Sequence, residues 1–137
     1  MDIQMPEMDG LEDTRTIMLQ HPTCVVIVTG RGQLRKDAEQ VGAMNCVLKP
    51  VLGSQIPALV ESSQQRFRVF LRVWKQMDDP EETLRVWLLM RRAVRAQMDR
   101  SGLSEEEAFR AIEECAHRDA TSLLTAVERL LAEEPEN

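Results

Sequence analysis

The sequence predicts an α/β segment followed by an all-α segment, mostly helical overall. Residues 24–28 and 46–48 are short apolar runs rich in β-branched residues. Such runs mark strands buried on both faces, as in a parallel sheet. Residues 33–41 between them carry a helical pattern closed by Gly42. A strand, a crossover helix and a second strand make a βαβ unit. From about residue 55 onward the apolar residues recur at helical spacing, and no further strand pattern appears.

Each element follows from local chemistry. Residues 11–20 read as a helix with Leu11, Thr14, Ile17 and Met18 on one side, stopped by His21-Pro22-Thr23. Thr29-Gly30-Arg31-Gly32 is a loop, and Lys49-Pro50 ends the second strand. Residues 55–77 form a long helix with Leu59, Val60, Phe67, Phe70, Leu71, Trp74 and Met77 as its apolar groups. Asp78-Asp79-Pro80 breaks the chain. Asp79 can cap the next helix, Pro80 suits its first position, and Glu82 can complete a capping box. That helix runs about 20 residues to Ser101-Gly102. Ser104 and Glu107 make another capping box, opening a helix through about His117. A last helix covers about residues 121–133.

Composition excludes several classes. No apolar run approaches the roughly 18 residues a membrane span needs. The acidic start (Asp2, Glu7, Asp9) is unlike a secretory signal. Cys24, Cys46 and Cys115 are widely spaced, which argues against a zinc site or a disulfide framework and fits a reducing cytoplasm. The net charge of -6 is uneven. Residues 1–53 hold 5 basic and 7 acidic side chains, residues 54–103 hold 9 and 6, and residues 104–137 hold 3 and 10. The middle third is suited to a polyanion, and the acidic last third resists one.

The opening residues Asp2-Ile3-Gln4-Met5-Pro6-Glu7-Met8-Asp9-Gly10 resemble the phosphoacceptor loop D-x-x-M-P-x-M-D-G of response-regulator receiver domains. Thr29 after the first strand, the A-x-x-x-G-A pattern of Ala38, Gly42 and Ala43, and Lys49-Pro50 stand at receiver spacing. The resemblance covers residues 1–53. It implies a partial flavodoxin-like receiver with Asp2 as phosphoacceptor and Thr29 and Lys49 supporting the phosphoryl group. In the family a carboxylate attacks the phosphoryl donor, a hydroxyl and an ammonium receive the group, and Mg²⁺ holds it. Part of the metal's ligand set is an acidic pair on the family's first strand. Asp2 would join such a site only with that pair present. The chain begins at the acceptor, so only the family's last two strands are expected here, with an unpaired inner edge prone to self-association. An upstream continuation and a decayed receiver both fit that pattern. A sensor histidine kinase is the partner if the receiver is complete. Cys46 stands where many receivers carry Tyr or Phe, and it cannot swing as a ring does.

Residues 80–134 resemble the ANTAR domain, a three-helix RNA-binding module of transcription antiterminators. Ala93, Met98, Gly102, Ser104, Glu105, Ala108 and Phe109 carry the resemblance. It implies binding of RNA stem-loops. The expected bundle core is Met98, Leu103, Ala108, Phe109, Ile112, Leu123, Val127 and Leu130. Candidate RNA contacts are Arg91, Arg92, Arg95, Arg100, Arg110, His117 and Arg118, each also readable as a solvated helix-face charge. Arg91, Arg92 and Arg95 are expected to gather on one helix side. The family's Lys-Gly pair is here Val94-Arg95, and the Met of its A-M pair is His117. Residues 54–79 resemble the linker helix that joins the two modules and pairs subunits as a coiled coil. The function so implied is a non-enzymatic, dimeric, cytoplasmic antiterminator. The alternative is a protein–protein interaction module that has lost RNA binding.

Overall fold

The computed structural model describes residues 7–133, with side chains from residue 10 onward. In chain order the elements are α1 (Glu7–Gln20), β1 (Val26–Thr29), α2 (Arg35–Gln40), β2 (Asn45–Leu48), α3 (Ile56–Gln76), α4 (Pro80–Ser101), α5 (Glu105–Arg118) and α6 (Leu123–Ala132). Short 3-10 turns precede α2 at Gly32–Leu34 and α3 at Gly53–Gln55. The protein is mostly helical with a small parallel sheet, as the sequence predicts. The chain divides into two compact units, Met1–Leu84 and Arg85–Asn137.

In the first unit, β1 and β2 pair in parallel with Val26 opposite Asn45 and Thr29 opposite Leu48. α1 turns Leu11, Thr14 and Met18 inward, while Ile17 is half-buried. The Thr14 hydroxyl tolerates burial because it donates to the Gly10 carbonyl at 2.8 Å. α1 begins four residues earlier than the apolar pattern suggests. Polar first turns are common at helix starts, and an apolar stripe does not report them. The turn before β2 needs a glycine. Gly42 has φ +99, and a Cβ there would lie 2.9 Å from Met18 Cγ and 3.1 Å from Leu84 Cδ1. α3 docks through polar contacts as well as apolar ones. Arg66 Nη1 donates to the Met44 carbonyl at 2.9 Å, and Asn45 Nδ2 donates to Ser62 Oγ and Ser63 Oγ at 3.1 and 3.3 Å. Val69, Phe70 and Val73 are its buried apolar residues.

The second unit is helical. Trp87 and Phe109 stack at its centre, with ring centroids 5.8 Å apart and planes within 5°. Ala108, Ile112, Ala116, Leu123, Ala126 and Val127 complete the buried set on α5 and α6. Three expected core residues sit nearer the surface, since Met98, Leu103 and Leu130 are half-buried. Trp87, Met90, Ala93 and Val94 of α4 fill the interior in their place. The large indole occupies volume that several aliphatic side chains would otherwise share. Ser104 caps α5 as the sequence predicts. Its hydroxyl accepts from the Glu107 N–H at 3.1 Å, and the Glu107 carboxylate accepts from the Ser104 N–H at 3.2 Å. Hydrogen bonds from Ser104 favour the ionised carboxylate, holding Glu107 below its ordinary range.

Candidate functional site

The receiver-like residues collect where strand ends meet loops. β1 ends at Thr29 and β2 at Leu48, opposite it in the ladder. The next residue, Lys49, donates its backbone N–H to the Thr29 carbonyl at 2.8 Å. Thr29 and Lys49 therefore share the carboxyl end of the sheet, where open α/β sheets place their ligands. Thr29 is buried, and its hydroxyl accepts from the Arg31 N–H at 3.0 Å, which fixes the hydroxyl's direction. Lys49 is exposed, and the Lys49–Pro50 peptide is cis. Asp2 lies outside the described residues. Among the described residues no group of three or more His, Cys, Asp or Glu gathers to hold a metal ion. The acidic donors that Mg²⁺ requires are therefore not found in this set.

Beside that end, an open cleft of about 320 Å³ has Arg35 on its rim and Val47, Leu48, Pro50 and Leu59 among its walls. Close by in the chain, Leu48, Leu52, Ile56 and Val60 are 44%, 58%, 48% and 45% exposed. Ile56 and Val60 are four residues apart on α3 and share one side of it, and Leu52 lies just before the 3-10 turn that leads into α3. Cys24 and Cys46 are half-buried, and burial pushes both thiols up from their ordinary range. That favours the neutral, unreactive form at neutral pH.

The basic candidates of the second unit fall into three groups. Arg91 is 8% exposed and stands over the Trp87 ring, 5.8 Å from its centroid. The structure does not bring it to the surface beside Arg92 and Arg95, which are both exposed. Spacing of four from Trp87 sets Arg91 above the indole, where a cation gains from the ring quadrupole. Arg100 is exposed near the end of α4. On α5, Arg110 pairs with Glu106 at 3.2 Å. At the far end of α5, His117 is exposed and Arg118 lies 3.9 Å from Asp119. Arg129 of α6 reaches the same carboxylate at 3.8 Å. Sequence reasoning missed Arg129, because it lies within an acidic stretch and eleven residues beyond Arg118. The signal that could have found it is the short α5–α6 connection, which folds α6 back beside α5.

Val94 is 3% exposed. The position where the resembled module carries Lys is thus an interior one here. Valine at this place packs, and it offers no charge to a polyanion.

Residues 1–61 match the family model of the response regulator receiver domain. Over 133 residues, 96% of the chain is 27% identical to the transcriptional regulatory protein PdtaR of Mycobacterium tuberculosis. The chain spans 65% of that relative's length. An uncharacterized response regulatory protein of Vibrio cholerae is 36% identical over 70 residues, covering 50% of this chain and 26% of the relative. A protein-glutamate methylesterase/protein-glutamine glutaminase of Burkholderia thailandensis is 41% identical over 56 residues, covering 38% of this chain and 16% of its own length. Residues 1–61 are therefore similar to response regulator receiver domains, and nearly the whole chain is similar to a transcriptional regulatory protein.

Proposed function

We propose that this protein is a response regulator whose helical unit binds stem-loops in nascent RNA and prevents terminator formation. The observation that carries the reading is the homology of 96% of the chain to a transcriptional regulatory protein. A receiver segment stands at its start, and a helical unit with exposed Arg92 and Arg95 follows. Exposed guanidiniums at helical spacing suit a phosphate backbone, and unpaired loop bases supply the specificity. On this reading the protein acts in the cytoplasm as a dimer, with α3 supplying part of the subunit contact. In a receiver completed by the acidic donors for Mg²⁺, a sensor histidine kinase phosphorylates Asp2, with Thr29 and Lys49 receiving the phosphoryl oxygens.

The test is a mobility-shift titration of the full chain with an RNA of two short hairpins, against a fully paired duplex, over a salt series. Binding that needs the loops and weakens with salt is expected. Replacing Arg92 and Arg95 together by Ala should weaken it about tenfold and reduce the log–log salt slope by about 1.4, two single-strand phosphate contacts. A folded chain that ignores the hairpins at every salt concentration overturns the reading.

A second reading, a protein–protein interaction module, is favoured by the strip of Leu52, Ile56 and Val60. Three aliphatic side chains, each about half exposed at the start of α3 or just before it, suit burial against a protein surface.

A further inference from the structure

We propose that the outer face of α3 is a second RNA contact, in which Arg68, Arg72 and Lys75 track the phosphates of an unpaired strand and Phe67 and Trp74 take its bases. The inference rests on the RNA-binding reading and deepens it by naming a contact surface in the first unit.

The C-terminal half of α3 carries three rows of side chains. Val69, Phe70 and Val73 are buried and hold the helix on its unit. Arg68, Arg72 and Lys75 are exposed, at the spacing of four and three that sets them on one side. Phe67, Leu71 and Trp74 each stand one residue earlier in the chain and repeat the same spacing. These three are half-buried, so each keeps part of its surface open beside the cationic row. The helical period thus lays a charged ridge along an aromatic flank.

Phe70 anchors that flank from the interior. Its ring centroid lies 6.1 Å from that of Phe67, with the planes 12° apart, and 6.1 Å from that of Trp74, with the planes 34° apart. Rings fixed in this way lose little freedom when a base stacks on them. Stacking rings beside a row of cations are how proteins hold unpaired strands. A duplex keeps its bases inside and gains only from the charges, so the face favours loops.

The charge balance suits an anion here. Residues 62–77 hold Arg66, Arg68, Arg72 and Lys75 and no Asp or Glu. Arg66 turns to the Met44 carbonyl at 2.9 Å, which leaves three cations on the ridge. Carboxylates border the row without interrupting it. Glu61 lies seven residues before Arg68. At 1.5 Å per residue that is about 10 Å along the axis, beyond the Debye length of about 8 Å at physiological salt. At the other end Asp78 and Asp79 follow the helix. Asp79 Oδ1 accepts from the Glu81 N–H at 3.2 Å, and Glu81 pairs with Arg15 at 2.6 Å. Glu82 of α4 is half-buried. The Lys75 end of the ridge is therefore its weaker end, and Arg68 is its strongest point.

The experiment uses the full chain and the two-hairpin RNA. Trp74 and Trp87 are the chain's two tryptophans, and Trp87 is fully buried. A change of indole emission on binding therefore reports Trp74. The hairpins should quench it, the paired duplex should quench it far less, and the quenching should vanish in W74L. R68Q/K75Q, checked as folded by circular dichroism, should bind about tenfold more weakly and lose about 1.4 from the log–log salt slope. W74L should bind about fivefold more weakly with the slope retained. A face used for pairing with a second copy gives an emission change with chain concentration in the absence of RNA, and R68Q/K75Q then keeps full RNA affinity. That result, unchanged affinity in either variant, or binding without quenching overturns the proposal while RNA binding by the parent chain stands. The quenching needs no variant, so it decides the matter even where W74L fails to fold. A parent chain that does not bind the RNA overturns the RNA reading itself, and this site with it.

Discussion

Gly42 stands at a left-handed φ, and a side chain there would strike Met18 and Leu84. Gly42→Ala should therefore destabilise the first unit by about 1–3 kcal/mol from backbone conformation, with a further loss from the clash. Urea unfolding of both proteins measures it, and an unchanged midpoint would refute the packing described. The sequence exposes this glycine's importance, because a glycine that closes a helix just before a short strand marks a left-handed turn. It does not expose Arg91 in the same way. Arginine three or four residues from other arginines reads as a surface stripe. The deciding neighbour is Trp87, whose indole covers Arg91 at the same helical spacing. Asp2, the residue that motivates the receiver resemblance, lies outside the described residues, so its chemistry stays a proposal.

At the scale of elements, capping chemistry makes α5 legible. The Ser104-to-Glu107 spacing encodes two reciprocal bonds, and the structure contains both. Ser104→Ala should cost about 1 kcal/mol of stability, read from thermal or urea unfolding. The pH dependence has a definite sign. Glu107 is held below its ordinary range when folded, so its contribution is present above the unfolded pKa. It is lost as pH falls through the lower folded value. Ser104→Ala should therefore differ from the parent most near neutral pH, and the difference should narrow on acidification below the usual carboxylate range, leaving the part due to the hydroxyl's bond to the Glu107 N–H. A constant difference across that range would remove Glu107 from the account. The strands are legible too, to within two residues, because β-branched runs between turns leave few alternatives. The core of the helical unit is less so. Periodicity marks which residues can face inward, and it cannot rank Met98 against Met90 once an indole has taken the central volume.

At the scale of the whole molecule, the described strands form one two-stranded sheet, and apolar side chains remain at the surface beside it. Among the described residues no helix is long and apolar enough to cross a membrane. Water is a poor partner for the strip of Leu52, Ile56 and Val60, and protein is a good one. Sedimentation of the full chain should show concentration-dependent association. Ile56→Lys with Val60→Glu should shift it towards monomer while leaving helix content unchanged. A parent chain that is monomeric across the accessible range would remove self-association as the use of this strip. The sequence hints at this strip through its aliphatic spacing, yet spacing alone cannot separate an exposed stripe from a buried one.

Interior Val94 has a consequence for any redesign of this surface. An ammonium placed there by Val94→Lys would have to leave the packed interior or displace its neighbours. One substitution therefore cannot place a cation here without disturbing the packing around it. Any compensating affinity for a polyanion would have to arise elsewhere on the surface, where arginine enters without disturbing the core.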